Sequence, residues 1–167
     1  MSAPIPTSDA AKRPRNILAG SYGHPIHPIL VTIPIGTWSA SLIFDIVAKA
    51  SDDSAAFAQG SHWLIGIGIL GAVLAAIWGS IDLSAIPRGT VAYRTGLTHM
   101  GLNLVVVALY VINFFVRGDD KTVGTLPLIL SIVGLALLGA SGFLGGKLAY
   151  RFGVRVADEQ TQAEGFR

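Results

Sequence analysis

Two histidines set between prolines, in Gly23-His24-Pro25-Ile26-His27-Pro28, stand immediately before the first long apolar run of the chain. Imidazole binds metal ions and moves protons near neutral pH. The prolines restrict the backbone on either side, so the pair is held in a stiffened entry segment. Three more groups with comparable chemistry lie at the ends of later apolar runs: His62, Asp82 and His99. Imidazole and carboxylate are suitable ligands for zinc, iron or copper. The elements that carry these residues decide which of them can meet.

Those elements are membrane helices. The chain is 51% hydrophobic and 13% charged, with a mean hydropathy of +0.60, whereas an ordinary globular domain is about 25% charged. A helix needs about 20 mostly apolar residues to cross the hydrocarbon core. Four stretches qualify, at about residues 28–48, 62–83, 97–116 and 126–146. The expected architecture is an all-α, integral membrane four-helix bundle occupying residues 23–149. Residues 1–22 are expected as a disordered cytoplasmic tail, rich in Pro, Ser and Ala, and 150–167 as a cytoplasmic C-terminal tail.

Loop charge gives the orientation. The side with both termini and the 84–96 loop collects Lys12, Arg13, Arg15, Arg88, Arg94, Lys147, Arg151, Arg155 and Arg167, against Lys49, Arg117 and Lys121 opposite. The opposite loops also carry Asp52, Asp53, Asp119 and Asp120. The excess predicts both termini inside, in a plasma membrane. No compact apolar core of a signal peptide precedes the first span, so no cleavage is expected.

This topology brings His24, His27, Asp82 and His99 to one level of the bundle, near Tyr150 and Arg151. Two readings of a bound cofactor follow. A single divalent metal ion would use His24, His27, His99 and Asp82. Haem b would use His27 and His99 as axial ligands, with Arg151 as the propionate or anion partner. Against both stands a structural cluster that only orders the helix ends, and a proton- or quinone-coupled role without metal is a further alternative.

Other polar residues form lines. On span three, Thr95, His99, Asn103, Tyr110, Asn113 and Arg117 fall within about 40° of one line at 100° per residue. Such a line must face the bundle interior or a water-filled crevice, as hydrogen-bond glue or as a polar path through Asn103, Tyr110 and Asn113. On span one, His27, Pro34, Trp38, Ser41 and Asp45 share a face, and Pro34 should kink the helix. Asp45 needs a partner, expected as a structural pair with His62 or with Lys49. Asp82 has a bland alternative too, as a loop cap or a partner of Arg88 or Arg94. Gly71, Ala75 and Gly79 on span two, and Gly142 and Gly146 on span four, allow close helix approach, within the bundle or at a dimer face.

Several functions are excluded or unsupported. With no cysteine, disulfides, thiolate chemistry, zinc–thiolate sites, cysteine-bound clusters and covalent c-type haem are ruled out. A net charge of +2 without a basic–aromatic patch gives no nucleic-acid partner. There is no phosphate-binding glycine loop, GxSxG elbow or HExxH helix.

The Gly-His-Pro-Ile-His-Pro segment, the following Ile-Leu-Val-Thr-Ile-Pro-Ile-Gly, Phe44-Asp45, Asp82, His99 and the Gly145-Gly146-Lys-Leu-Ala-Tyr150-Arg151-Phe-Gly153-Val ending resemble a widespread prokaryotic family of four-span membrane proteins of unknown function. The resemblance covers about residues 22–156 and implies a four-helix integral membrane protein without an established activity. Some relatives are fused to a Rieske-type domain, which implies a redox setting, although this chain carries no such domain. Where many relatives have a histidine after the Pro-x-Leu-Val step, this chain has Thr32.

The expected function is therefore a redox-associated membrane protein with a metal or haem site near the cytoplasmic face, not an enzyme by itself. Its partners would be lipid and either a second copy or a redox membrane complex. The alternatives are a non-catalytic scaffold or assembly partner, and a dimeric carrier of protons or small solutes.

Overall fold

The computed structural model describes residues 9–52, 54–117 and 122–167. Asp53, Asp119, Asp120, Lys121 and the first eight residues of the expected tail lie outside them. Four helical segments are long and apolar enough to cross a membrane: Ile26–Ala50, Ser54–Ala85, Val91–Val116 and Thr125–Arg151. Each extends past the apolar stretch read from sequence, because backbone hydrogen bonding continues into polar turns after hydrophobicity ends. Ser54–Ala85 shows this best. At 32 residues it is about 48 Å long, well beyond the roughly 30 Å hydrocarbon core.

In chain order, α1 is Asp9–Lys12, α2 Ile26–Leu30, α3 Thr32–Ala50, α4 Ser54–Ala85, α5 Val91–Val116, α6 Thr125–Gly146 and α7 Glu159–Glu164. The first span is α2 continued by α3. The fourth is α6 continued by a π-helical turn, Lys147–Arg151. Local chemistry sets the ends. Thr90 caps α5 by accepting from the Tyr93 N–H, and α4 stops just before Pro87, which cannot continue it.

The spans run up and down, and each packs against two others in a ring, α3 beside α4, α4 beside α5, α5 beside α6 and α6 beside α3. Residues on the outer wall, among them Leu70, Phe115, Ile129 and Phe143, are large, apolar and exposed, which suits lipid and not water. Pro34, Trp38, Ser41 and Asp45 of α3 are buried, as the one-face reading of span one requires.

The terminal segments pack against the bundle. Residues 9–22, expected as part of a disordered tail, hold α1, a 3-10 turn at Ile17–Ala19 and strand β1 (Gly20–Ser21), which pairs with β2 (His24–Pro25). Gly23 turns this hairpin with a φ of 80°, a region that glycine enters without strain. Ala11 and Ala19 are buried. The C-terminal segment returns to them. The Arg155 N–H donates to Ala11 O at 3.0 Å and its Nη2 to Ala19 O at 2.8 Å.

Candidate functional site

The interior polar groups of the spans form three layers along the bundle. The first holds His27 and His99, whose ring centroids lie 6.4 Å apart with the planes nearly perpendicular. His27 Nδ1 bonds to Ala75 O at 2.8 Å and His99 Nδ1 to Ser141 O at 2.9 Å. A carbonyl only accepts, so the Nδ1–H tautomer is the one that satisfies both contacts; His99 Nδ1 also lies 2.9 Å from the Ser141 hydroxyl, which in that tautomer accepts. In a neutral ring, Nε2 then keeps its lone pair. Asn103 Nδ2 donates to His99 Nε2 at 3.1 Å, while the described hydrogen bonds of His27 involve Nδ1 alone. All four spans contribute to this layer, two by imidazoles and two by the carbonyls that orient them.

Glycine makes the approach feasible. A Cβ on Gly79 would lie 2.9 Å from His27 Cε1, and one on Gly145 would lie 3.2 Å from His99 Cε1. The small-residue stripe of span two thus packs inside the bundle, with Gly71 against Ile33 and Pro34. Gly142 has nothing within 4 Å of a built Cβ.

In the middle layer, Trp38 and Tyr110 stack at 4.0 Å with planes 4° apart. Both are fully buried, and each sends its polar tip to a backbone carbonyl at 3.3 Å, Trp38 to Ile65 and Tyr110 to Ser131. Neither leaves an orphaned polar group, which a buried aromatic must avoid.

The third layer is an ion pair. Arg117 Nη1 and Nη2 donate to the two carboxylate oxygens of Asp45 at 2.8 and 2.5 Å. Asn113 accepts from Arg117 Nε at 2.9 Å and donates to Ser131 Oγ at 2.8 Å and to Pro127 O at 3.1 Å. Asp45 and Asn113 are 0% exposed and Arg117 6%. A charge so enclosed requires this degree of satisfaction.

The structure therefore divides the candidate residues. His27 and His99 meet. His24 does not join them: it is exposed on the hairpin, opposite Ser21. Asp82 is also drawn elsewhere, to Arg155, whose Nε lies 3.0 Å from Asp82 Oδ1. Among the described residues, no group of three or more His, Cys, Asp or Glu side chains is placed to hold a metal ion. The four-residue ligand set thus reduces to two histidines, because the hairpin carries His24 outward and an arginine takes Asp82. Arg151, expected as the anion partner, is exposed on the π-helical turn. Thr32 is exposed as well and returns its hydroxyl to Ile29 O at 2.7 Å.

Asp45 is also corrected. Arg117 takes both of its carboxylate oxygens, while Lys49 Nζ reaches Val123 O at 3.1 Å and the His62 ring packs against that of Phe114 with centroids 4.3 Å apart. The polar line of span three faces inward through His99, Asn103, Tyr110, Asn113 and Arg117, whereas Thr95 bonds back to Val91 O at its start. Two partners were missed in sequence, Arg117 for Asp45 and Arg155 for Asp82. Arg117 carried a signal, since it closes the same polar line. Arg155 carried none, because its positive φ of 59° and its inward turn are products of the folded tail.

The family model described as a predicted membrane protein (DUF2231) matches residues 23–158, and the chain belongs to that family. No match was found among the curated proteins or among the solved structures.

Proposed function

We propose that this protein is a redox-associated component of the plasma membrane whose working centre is the His27–His99 pair, holding haem iron or a single divalent ion near the cytoplasmic face. It would serve a redox membrane complex rather than act as an enzyme alone. The observation that supports this most directly is the matched anchoring of the two rings. Each imidazole is oriented by an Nδ1–H bond to the carbonyl of another span, an arrangement that presents Nε2 as a ligand and recurs around bound metals. The Asn103 bond to His99 Nε2 would give way to the metal.

The two other layers do different work in this reading. Trp38, Tyr110, Asp45 and Arg117 set the helix spacing, so the rings are held by a rigid frame. When bound, the metal supplies one-electron chemistry. The protein supplies the imidazoles, the orienting carbonyls and the apolar wall.

The test is purification in detergent under conditions that preserve labile cofactors, followed by visible spectroscopy and metal analysis. A Soret band lost in both His27→Ala and His99→Ala supports haem. Stoichiometric metal without that band supports the single ion. A colourless, metal-free and stable bundle overturns the proposal.

A scaffold is the second reading, favoured by the His99–Asn103 bond, which satisfies an imidazole without any ligand. It expects the same two alanine variants to lose stability and nothing else.

A further inference from the structure

The three layers are built from two copies of one pattern. His27, Trp38 and Asp45 on the first span meet His99, Tyr110 and Arg117 on the third. Each of the second set lies 72 positions after its counterpart. The second and fourth spans repeat as well. Ala75 and Ser141 give the carbonyls that hold the two histidines, Ile65 and Ser131 those that hold the two aromatics. Gly79 and Gly145 lie against the two imidazoles, Gly68 and Gly134 against Trp38 and Tyr110. Ser41 bonds with Ser61, and Asn113 with Pro127. Within these two spans one constant step relates every pair, so the length change falls in the hairpin connections.

We infer that the chain is a tandem duplicate of one two-helix unit, and that the His27–His99 site straddles the two-fold axis relating the copies and takes one transition-metal centre with two opposed coordination positions, one filled from each unit. The ring of spans agrees, since the axis exchanges the first with the third and the second with the fourth and preserves every neighbour. The facing residues are then the ones nearest the axis, as the stacked Trp38 and Tyr110 are. A metal about 2 Å from each of two opposed imidazole nitrogens separates the ring centroids by roughly 6 Å, against 6.4 Å here. The copies have diverged where the tails bind. The counterpart of Asp82, which holds Arg155, is the buried Leu148.

The ligand part of this inference rests on the proposed metal centre; the duplication does not, and two experiments separate them. In the first, the full chain in detergent is titrated with haemin and, separately, with cupric ion. One equivalent of either should bind. His27→Ala and His99→Ala should each weaken binding about tenfold or more, by similar factors, and added imidazole should restore both. Haemin alone binding identifies the source as haem; the ion alone identifies a bare metal. Undiminished binding in one of the two variants, or two equivalents per chain, overturns the shared site and leaves a one-sided metal centre. No binding of either probe by the wild type overturns the metal centre as well.

In the second, Trp38→Tyr and Tyr110→Trp are combined. Equivalent sockets predict that the exchange keeps a thermal midpoint close to wild type and above that of either single variant. A midpoint at or below both single variants overturns the duplication, whatever the metal result.

Discussion

Asp45 and Arg117 occupy matching places on the first and third spans, carry opposite charges, and close on each other through two parallel hydrogen bonds of 2.8 and 2.5 Å. Like charges there would repel inside a medium of low dielectric, so the pair joins one helix hairpin to the other. Removing one partner strands the other, at a cost of about 3–5 kcal/mol. We expect Asp45→Leu and Arg117→Met each to unfold at markedly lower temperature in detergent, and the double variant to recover much of the loss. Additive losses in the double-mutant cycle would show that the two residues do not act as a pair.

The glycines under the histidines give a graded series. Gly79→Ala places a Cβ 2.9 Å from His27 Cε1 and Gly145→Ala places one 3.2 Å from His99 Cε1, while Gly142→Ala meets nothing within 4 Å. Overpacking costs about 1–3 kcal/mol, against a helix-propensity gain of about 1 kcal/mol from glycine to alanine. Thermal midpoints should therefore rank Gly142→Ala highest and Gly79→Ala lowest. The reverse order would show that the close contacts at Gly79 and Gly145 do not limit stability.

Stacking in the middle layer should dominate the core. Trp38→Ala deletes a fully buried ring, an effect of about 3–5 kcal/mol. Tyr110→Phe keeps the ring and loses only its hydrogen bond to Ser131 O, about 1 kcal/mol. Unfolding in a graded denaturant series measures both, and comparable losses would contradict the stacked geometry.

Acid should release the C-terminal helix. The carboxyl of Asp158 is held below its ordinary range, first by the Thr161 backbone N–H and then by its side-chain bonds to Thr161 and to the Tyr22 hydroxyl. A lowered value means the charged form is favoured in the folded state. Its contribution is then present above the ordinary aspartate range near 3.9 and is lost as pH falls through the lower folded value. Protection of the Thr161 amide, its observed exchange set against the intrinsic rate at each pH, should fall below about pH 4 in the wild type. In Asp158→Ala, which removes the accepting oxygen, protection should be lower at neutral pH and lose this dependence. Equal exchange in the two proteins at neutral pH would count against the cap.

Much of the frame was legible in the sequence because lipid imposes it. A segment that is apolar for about 20 residues has few options other than a spanning helix, so four spans followed from composition. Their polar lines followed too, since Asn113 and Arg117 cannot face lipid unpaired. The tails were less legible. Residues 9–22 are held by partners distant in the chain, Arg155 at Ala19 O, Trp78 at Leu18 O and Asp158 at the Tyr22 hydroxyl.

Sequence alone determined four helices, their inward faces and the choice of His27 and His99 as the residues to watch. Tertiary structure decided which faces meet. It placed His27 across from His99, gave Asp45 to Arg117, sent His24 to the surface and tied Asp82 to Arg155. Helical periodicity fixes the direction of a side chain about its own axis, whereas partners depend on the order, rotation and depth of separate helices. Those are set by packing, here by the glycines at 68, 79, 134 and 145 that let the two helices of each hairpin close on one another, and by the Trp38–Tyr110 stack and the Asp45–Arg117 pair that join the hairpins.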